Sequence, residues 1–266
     1  MGGCGPVVAE VFSGELDPRW RRHLVGAGEL EHTGSSIRFA LDGASKRQYS
    51  DAQIDDYQGL PRRRFPWRPP LRVTVRARFS HAEGDLLGTA GFGFWNDPFV
   101  MTGARMPALP RALWFFYGSL PSNMKLDVTT PGWGWKAATI DALGIGPYAL
   151  APLAPLAVLL MNVRPVYDAL WPRIQRVLNV REAALAVAMT EWHTYELEWG
   201  REETRFAVDG SAVLENAPSP RGSLGFVMWL DNQYMVVTPQ GRLRWGRLDV
   251  PERQWMEVDR LEIEPL

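Results

Sequence analysis

Apolar and polar residues alternate without a break over residues 71–80, LRVTVRARFS. The apolar positions from Leu71 to Phe79 fall on one face, and three arginines and a threonine fall on the other. A period of two sustained over such a run predicts a β-strand with one buried and one solvated face.

Further short runs rich in β-branched and aromatic residues follow one another along the chain, separated by Gly, Pro, Asn and Asp. They predict strands at residues 35–41, 89–95, 112–118, 123–130, 193–199, 204–210, 211–216, 223–231 and 259–265. Asp209-Gly210 between two of these runs is a strong hairpin signal, because both residues tolerate positive φ. Many closely spaced strands predict an all-β fold, an antiparallel β-sandwich of the jelly-roll type.

A helical insertion is predicted at about residues 137–191. Residues 148–162 are mostly apolar, but the run contains two prolines and is shorter than the ~20 residues needed to span a bilayer. Apolar residues then recur at helical spacing from Val163 to Leu178, which places Gln175 on the outer face, and residues 181–189 favour a further short helix. Insertions longer than ordinary loops often serve as lids or as surfaces for a membrane or protein partner.

The composition is that of one globular domain spanning residues 1–266. Hydrophobic residues make up 46% and charged residues 22%, and the net charge of −1 offers no broad cationic surface to a nucleic acid. The single cysteine, Cys4, cannot form an intramolecular disulfide. The N-terminal residues lack the basic and apolar regions of a signal peptide, so we predict a cytoplasmic location.

Four segments resemble, in their order, glycoside hydrolase family 16 and the wider concanavalin A-like lectin/glucanase group. They are residues 49–57, 89–97, 192–210 and 255–265. The third contains a His-x-Tyr-x-x-x-Trp strand followed by a hairpin ending in Val-Asp-Gly. The resemblance runs over most of residues 35–265 outside the insertion, and it implies two curved antiparallel sheets that bind ligands on a concave face.

The family's two catalytic carboxylates are missing from the strand where the resemblance places them. The family carries them as Glu-x-Asp-x-x-Glu or Glu-x-Asp-x-Glu, and a retaining glycosidase needs its two carboxyl groups about 5–5.5 Å apart. Residues 108–121 correspond to that strand and contain no Asp or Glu. Either Trp114 and Phe116 or Phe115 and Tyr117 stand in the acids' place. If the chain is an enzyme, we therefore expect it not to be a standard two-carboxylate glycosidase.

Other chemistry has weak support in the sequence. The four histidines show no metal-ligand spacing, and we predict no cofactor and no metal site. The resemblance raises a structural calcium, for which Asp42, Asp51, Asp55 and Asp56 offer oxygens, but their spacing does not support it.

The residues expected at a concave cleft are mostly aromatic. Our candidates for ligand binding are Trp95, Asn96, Trp114, Phe116, Tyr117, Trp229 and Asn232, and our candidate acid–base groups are His193, Asp97, Asp127 and Asp231. Such a list is typical of a small-molecule site with few polar anchors. Our first hypothesis is a jelly-roll protein that binds an apolar or aromatic small molecule under a helical lid.

Three alternatives remain open. The chain could be a carbohydrate-binding relative that has lost hydrolysis, or a β-glucanase-like glycoside hydrolase with displaced carboxylates. In addition, residues 148–180 could dock onto a membrane or a partner protein.

Overall fold

The computed structural model describes residues 7–98, 106–125, 127–142, 156 and 159–266. In these residues the chain forms strands, one α-helix and a short 3-10 helix at Arg62–Arg64. The strands are β1 Val8–Glu10, β2 Arg21–Val25, β3 Gly28–His32, β4 Ile37–Leu41, β5 Asp51–Asp55, β6 Leu71–Phe79, β7 Thr89–Trp95, β8 Arg111–Gly118, β9 Gly134–Asp141, β10 Arg181–Ala184, β11 His193–Trp199, β12 Glu203–Val208, β13 Ser211–Pro218, β14 Gly225–Asp231, β15 Gln233–Val237, β16 Leu243–Arg247 and β17 Gln254–Pro265, and the helix α1 is Arg164–Val177.

Two large antiparallel sheets face each other. One has the order β13-β12-β11-β6-β17-β4-β3, with β1 added to β17, and the other has the order β10-β9-β8-β7-β14-β5-β2. Strands β15 and β16 form a separate hairpin. The predicted all-β, antiparallel sandwich is therefore confirmed.

The core lies between the two sheets and is built largely from rings. The ring centroids of Phe92 and Tyr195 are 5.3 Å apart, as are those of Phe94 and Trp199, and each pair joins one sheet to the other. Aromatic side chains bury much area each and are large enough to fill the space between two sheets. Most strands that contain tryptophan therefore pack one of their faces into this core.

Most predicted strands are confirmed, and β7 and β11 coincide with the predicted segments 89–95 and 193–199. The strand predicted at 123–130 is wrong for the described part of that segment. There Asn123 makes an isolated bridge to Val236, and the residues after it turn around the Asp127 carboxylate, which accepts a hydrogen bond from the Thr129 amide at 2.8 Å. The Asp127 side chain forms hydrogen bonds with the nearby backbone, and these bonds compete with the inter-strand hydrogen bonds of a sheet.

The bounds of the helical insertion are corrected by the structure. Helix α1 confirms its central part, with Pro172 inside the helix, but β9 and β10 occupy both ends of the predicted range. The helix predicted at 181–189 is wrong, because β10 pairs with β9 and tertiary pairing overrides the local helix propensity of Glu and Ala. Residues 143–155, 157 and 158 of the insertion lie outside the described residues.

The predicted orientation of Gln175 on α1 is also wrong. Gln175, predicted to point outward, is buried together with Trp171. Its side-chain amide donates to Asp127 Oδ2 at 2.5 Å and to the Val180 carbonyl at 3.2 Å, so the buried polar group has partners on both sides of the helix end. Within the described residues, no helix has the length and apolarity to cross a bilayer.

Candidate functional site

A cleft lies on the face of the seven-stranded sheet that points away from the core. Alternation along β5 and β14 turns Gln53 and Trp229 toward the cleft and Ile54 and Met228 toward the core. The cleft encloses about 80 Å³ that the centre of a water-sized sphere can occupy, which is room for several water molecules. It is lined by Tyr49, Gln53, Thr89, Trp95, Trp114, Phe116, Met124, Val227, Trp229, Asp231, Gln233, Tyr234 and Met235.

One end of the cleft is aromatic. The Trp114 ring lies 5.8 Å from that of Trp95, 5.5 Å from that of Phe116 and 5.6 Å from that of Trp229, measured between centroids. Trp114 is half-buried, whereas the other three rings are buried. The Trp229 indole N–H donates to Thr89 Oγ1 at 2.9 Å, which fixes that ring against the sheet.

Two glycines of β7 make room for these rings. A Cβ on Gly91 would lie 2.3 Å from the Phe115 carbonyl oxygen and 3.0 Å from the Trp229 ring. A Cβ on Gly93 would lie 2.4 Å from the Leu113 carbonyl oxygen and 2.7 Å from Trp114 Cβ. The Gly-Phe-Gly-Phe pattern of β7 therefore places its phenylalanines in the core. The glycines on the other face leave a flat surface on which the tryptophans pack.

The other end of the cleft is acidic. Asp231, the last residue of β14, is the register partner of Asp51, the first residue of β5, and the pair lies on the cleft face with Gln53. Both carboxylates are buried. Burial raises the pKa of Asp51 well above its ordinary value, and the charge of Asp231 raises it further, while the Tyr49 hydroxyl lowers it in part.

Asp231 is held by hydrogen bonds that all end on one oxygen. Its Oδ1 accepts from the Thr89 amide at 3.3 Å, from Thr89 Oγ1 at 2.8 Å and from the Gln233 amide at 2.9 Å. Burial raises the pKa of Asp231 to about 6, although these bonds act in the opposite direction. The pair is thus arranged so that one carboxyl group keeps a proton more readily than the other.

Five of the residues predicted for the site line the cleft, namely Trp95, Trp114, Phe116, Trp229 and Asp231. The structure places Tyr117 in the core, where its hydroxyl donates to the Leu86 carbonyl at 2.9 Å. It thereby decides that Trp114 and Phe116, and not Phe115 and Tyr117, face the cleft from β8.

The two predicted asparagines brace loops beside the cleft. Asn96 donates to the Leu109 carbonyl and accepts from the Arg111 amide, both at 3.0 Å. Asn232 accepts from the Ser50 amide at 3.0 Å and donates to three backbone carbonyls, those of Ser45, Gln48 and Leu248.

Three of the predicted acid–base residues lie away from the cleft lining. His193 is on the eight-stranded sheet, where its Nδ1 lies 2.6 Å from Asp209 Oδ2 and its Nε2 lies 3.1 Å from the Ala188 carbonyl. Asp127 anchors α1 through Gln175. Asp97 is buried in a loop, and its carbonyl accepts from the Arg62 guanidinium at 2.6 Å.

Part of the cleft wall comes from the hairpin of β15 and β16 and from Met124, which also packs against the aromatic rings. Residues 233–235 and Met124 line the cleft, whereas none of the described residues of α1 does. Helix α1 instead lies beside the far end of this hairpin, where the Asn162 side chain donates to the Gln240 carbonyl at 3.4 Å.

Residues missed by the sequence analysis include Tyr49, Gln53 and Asp51. The alternation in Asp51-Ala-Gln-Ile-Asp55 was a signal for a strand with one polar face. Its aspartates were considered as calcium ligands because the family resemblance raised that metal, although their spacing did not support it. Over the ranges the structure describes, no three His, Cys, Asp or Glu side chains converge as a metal ion would require.

Comparison with known proteins supports the fold. No family model matches the sequence, and no curated protein matches it. Solved structures match over nearly the whole chain at low identity. An immunostimulatory antigen and pseudo beta-1,3-glucanase of Mycobacterium tuberculosis has a TM-score of 0.53 and 11% identity, covering 99% of this chain and 100% of that one. A glycosyl hydrolase family 16 protein from Mycobacterium smegmatis has a TM-score of 0.52 and 11% identity, covering 97% and 99%.

A laminarinase from Flavobacterium sp. is similar to the same extent, with a TM-score of 0.51, 13% identity and coverage of 97% of this chain and 99% of that one. At such identities the likeness concerns the fold alone. The chain has the concanavalin A-like jelly-roll architecture of these glucanases, as the resemblance in its sequence implied.

Proposed function

We propose that this protein binds a compact small molecule with an apolar or aromatic body in the cleft of the seven-stranded sheet. The observation that carries the proposal is the division of the cleft, with four packed rings at one end and hydrogen-bonding side chains at the other. An apolar pocket with a few convergent polar groups is the usual form of a small-molecule site.

The packing of the rings favours a compact ligand over a polysaccharide. An extended sugar chain needs several exposed ring faces along an open groove, whereas Trp95, Phe116 and Trp229 are buried against their neighbours. Trp114 is the half-buried ring among the four, so one flat group can stack there.

Carbohydrate binding, or glycoside hydrolysis by displaced carboxylates, is the second candidate. Two observations favour it: the fold is shared with glucanases, and Asp51 and Asp231 face each other beside the cleft. Among the similar structures is one described as a pseudo beta-1,3-glucanase. Strand β8 contains no acid, so the family's own motif is not the mechanism we propose here.

Titration of the intact chain with two aromatic probes and one saccharide tests the proposal. The probes are 2-phenylethanol, 2-phenylethylamine and laminaritetraose, followed by tryptophan emission and by calorimetry. We expect saturable binding of at least one aromatic probe and no binding of the saccharide. Saturation by laminaritetraose alone would replace our first candidate with the second, and release of reducing sugar would establish hydrolysis.

The cytoplasmic location stays a prediction, as does docking of the helical segment onto a membrane or a partner protein. So does the absence of a nucleic-acid partner.

A further inference from the structure

The carboxylate of Asp51 is buried and poorly supplied with hydrogen-bond donors. Its residue is 1% exposed, the Tyr49 hydroxyl is the donor beside it, and neither carboxylate oxygen has a partner in full hydrogen-bonding geometry. Burying a polar group without a partner costs free energy, and native structures rarely leave such a group unexplained. The side chain lies on the same face of β5 as Gln53, which lines the cleft.

The groups around Asp51 do not neutralise it. Asp231 opposes it from β14, and Asp55 lies four residues along β5 on the same face, so these neighbouring acidic groups carry the same sign of charge. From β2, His23 Nε2 lies 3.9 Å from Asp51 Oδ2, beyond hydrogen-bond distance. Tyr49 is the remaining titratable neighbour. No lysine or arginine nitrogen in the described part of the chain comes within 4.0 Å of Asp51 or Asp231.

Asp55 differs from the other two carboxylates because its oxygens are occupied. It accepts from the Tyr57 amide at 3.2 Å, the Gln58 amide at 2.8 Å and the Gln53 side chain at 2.9 Å. Asp231, in contrast, receives its three hydrogen bonds on Oδ1, which leaves Oδ2 for a ligand. The acidic end of the cleft therefore has acceptors and, among the described residues, neither a lysine nor an arginine beside it.

The aromatic rings next to the acidic end also favour a cationic group. Trp229 lies on β14 two residues before Asp231, and its indole N–H and the Asp231 carboxylate both bond to Thr89 Oγ1. The face of an aromatic ring carries negative charge density and attracts a cation, most strongly where water is excluded. A hydrogen bond to a charged acceptor is likewise stronger than one between neutral groups.

We infer that the acidic end of the cleft binds a protonated amino group, which Asp231 accepts directly and whose positive charge offsets the repulsion between Asp231 and Asp51, while the aromatic end holds the apolar body of the same ligand. The ligand class is thus an aryl-alkyl amine. The inference rests on the proposed function, since it names the chemistry of a ligand for the same cleft.

A matched pair of probes tests it on the wild-type chain. 2-Phenylethylamine and 2-phenylethanol share their ring and linker and differ in the charged group. At pH 7.5 we expect the amine to bind at least about tenfold more tightly than the alcohol, the ratio that one added charge-assisted hydrogen bond supports. In Asp231→Asn the ratio falls toward one, in Asp51→Asn it falls by a smaller factor because Asp231 remains, and in Glu215→Gln, an exposed carboxylate on the other sheet, it is unchanged.

Each contrary outcome has a distinct meaning. Equal or tighter binding of the alcohol by the wild type would overturn the amine site and leave the proposed function standing. An amine preference that persists in both Asp→Asn variants would also overturn it. If neither probe binds, both the inference and the proposed function fail. The wild-type comparison needs no variant, so it remains decisive even if a substitution prevents folding.

Discussion

Asp51 and Asp231 stand directly opposite each other on the adjacent antiparallel strands β5 and β14, although they are 180 positions apart in the sequence. Both are buried on the cleft face of their sheet. Two like charges in such an arrangement cannot both ionise without cost, and the raised pKa values of both groups express that cost.

The stability of the protein should depend on the Asp231 proton. The folded state keeps this proton up to about pH 6, whereas an unfolded aspartate releases it near its ordinary pKa of about 3.9. The folded state therefore binds more protons between these values, and this group's contribution to the free energy of unfolding falls as the pH rises through them. Below about pH 4 both states are protonated, and the contribution is constant.

Asp231→Asn should remove this penalty. Asn Oδ1 can keep the three hydrogen bonds, so we expect the variant to match the wild type near pH 4 and to gain up to ~3 kcal/mol by pH 7. Thermal unfolding of both proteins across this pH range measures the difference. For Asp249→Asn, an exposed control whose pKa is lowered by hydrogen bonds from Lys46, the gain should not appear. A difference between Asp231→Asn and wild type that is constant with pH would contradict the assignment.

Trp114→Leu should weaken the binding of aromatic probes. Trp114 is the ring of the aromatic end that offers free surface, and aromatic pairs contribute about 0.5–1.5 kcal/mol beyond their buried area, so we expect about a tenfold loss of affinity. Trp245→Leu is the matched control, because this tryptophan is 66% exposed on β16 and does not line the cleft. Equal loss in the two variants would place the probe elsewhere.

The ion pair of Lys136 and Glu182 should be costly to break from one side. Lys136 Nζ lies 3.0 Å from Glu182 Oε1, and the two side chains are 2% and 6% exposed. Lys136→Met leaves a buried carboxylate without its cation, and we expect a loss of about 3–5 kcal/mol in the free energy of unfolding. The double variant Lys136→Met/Glu182→Leu should recover at least half of that loss.

An exposed pair at nearly the same distance provides the control. Arg164 Nε and Asp168 Oδ2 lie 2.9 Å apart on the surface of α1, so Arg164→Met should leave the free energy of unfolding nearly unchanged. Chemical denaturation of the three variants and the wild type gives the comparison. A double variant no more stable than Lys136→Met alone would show that the lost packing, and not the unpaired charge, dominates.

Gln175→Leu should loosen α1 while leaving the sandwich intact. The Gln175 amide joins Asp127 to the end of the helix, and Leu cannot make either bond. We expect amide hydrogen exchange in residues 164–177 to become at least about tenfold faster, since removing a buried hydrogen bond to a charged group costs about 1.5–3 kcal/mol. Exchange in β6 and β11 should not change. Arg173→Leu, at an exposed position of the same helix, should leave exchange near the wild-type rate.

Alternation along single segments was enough to predict the strands with the cleanest patterns and the sandwich they build. In β6, the residues that the pattern assigned to a buried face are the ones that pack between the sheets, and β7 and β11 form where their patterns predicted strands. The central turns of α1 were predictable for the same reason, because a helix also repeats its face locally.

The predictions from sequence were wrong where the conformation of a segment depended on its tertiary contacts more than on its own residue pattern. Residues 181–184 favour helix by composition but form β10, because β9 presents an edge to pair with. Gln175 reads as a surface residue until Asp127 supplies a buried partner. On β8, alternation offered two equivalent choices, and only the position of the opposite sheet put Phe115 and Tyr117 inside and Trp114 and Phe116 in the cleft.

The sequence by itself determined the class of fold, the absence of acids from β8 and the aromatic character of the candidate site. Only the tertiary structure decided that an acidic pair stands beside those rings. Asp51 and Asp231 have no local pattern in common, and their meeting follows from the register between β5 and β14. Register is set by the buried faces of whole strands and not by the residues that happen to meet across it.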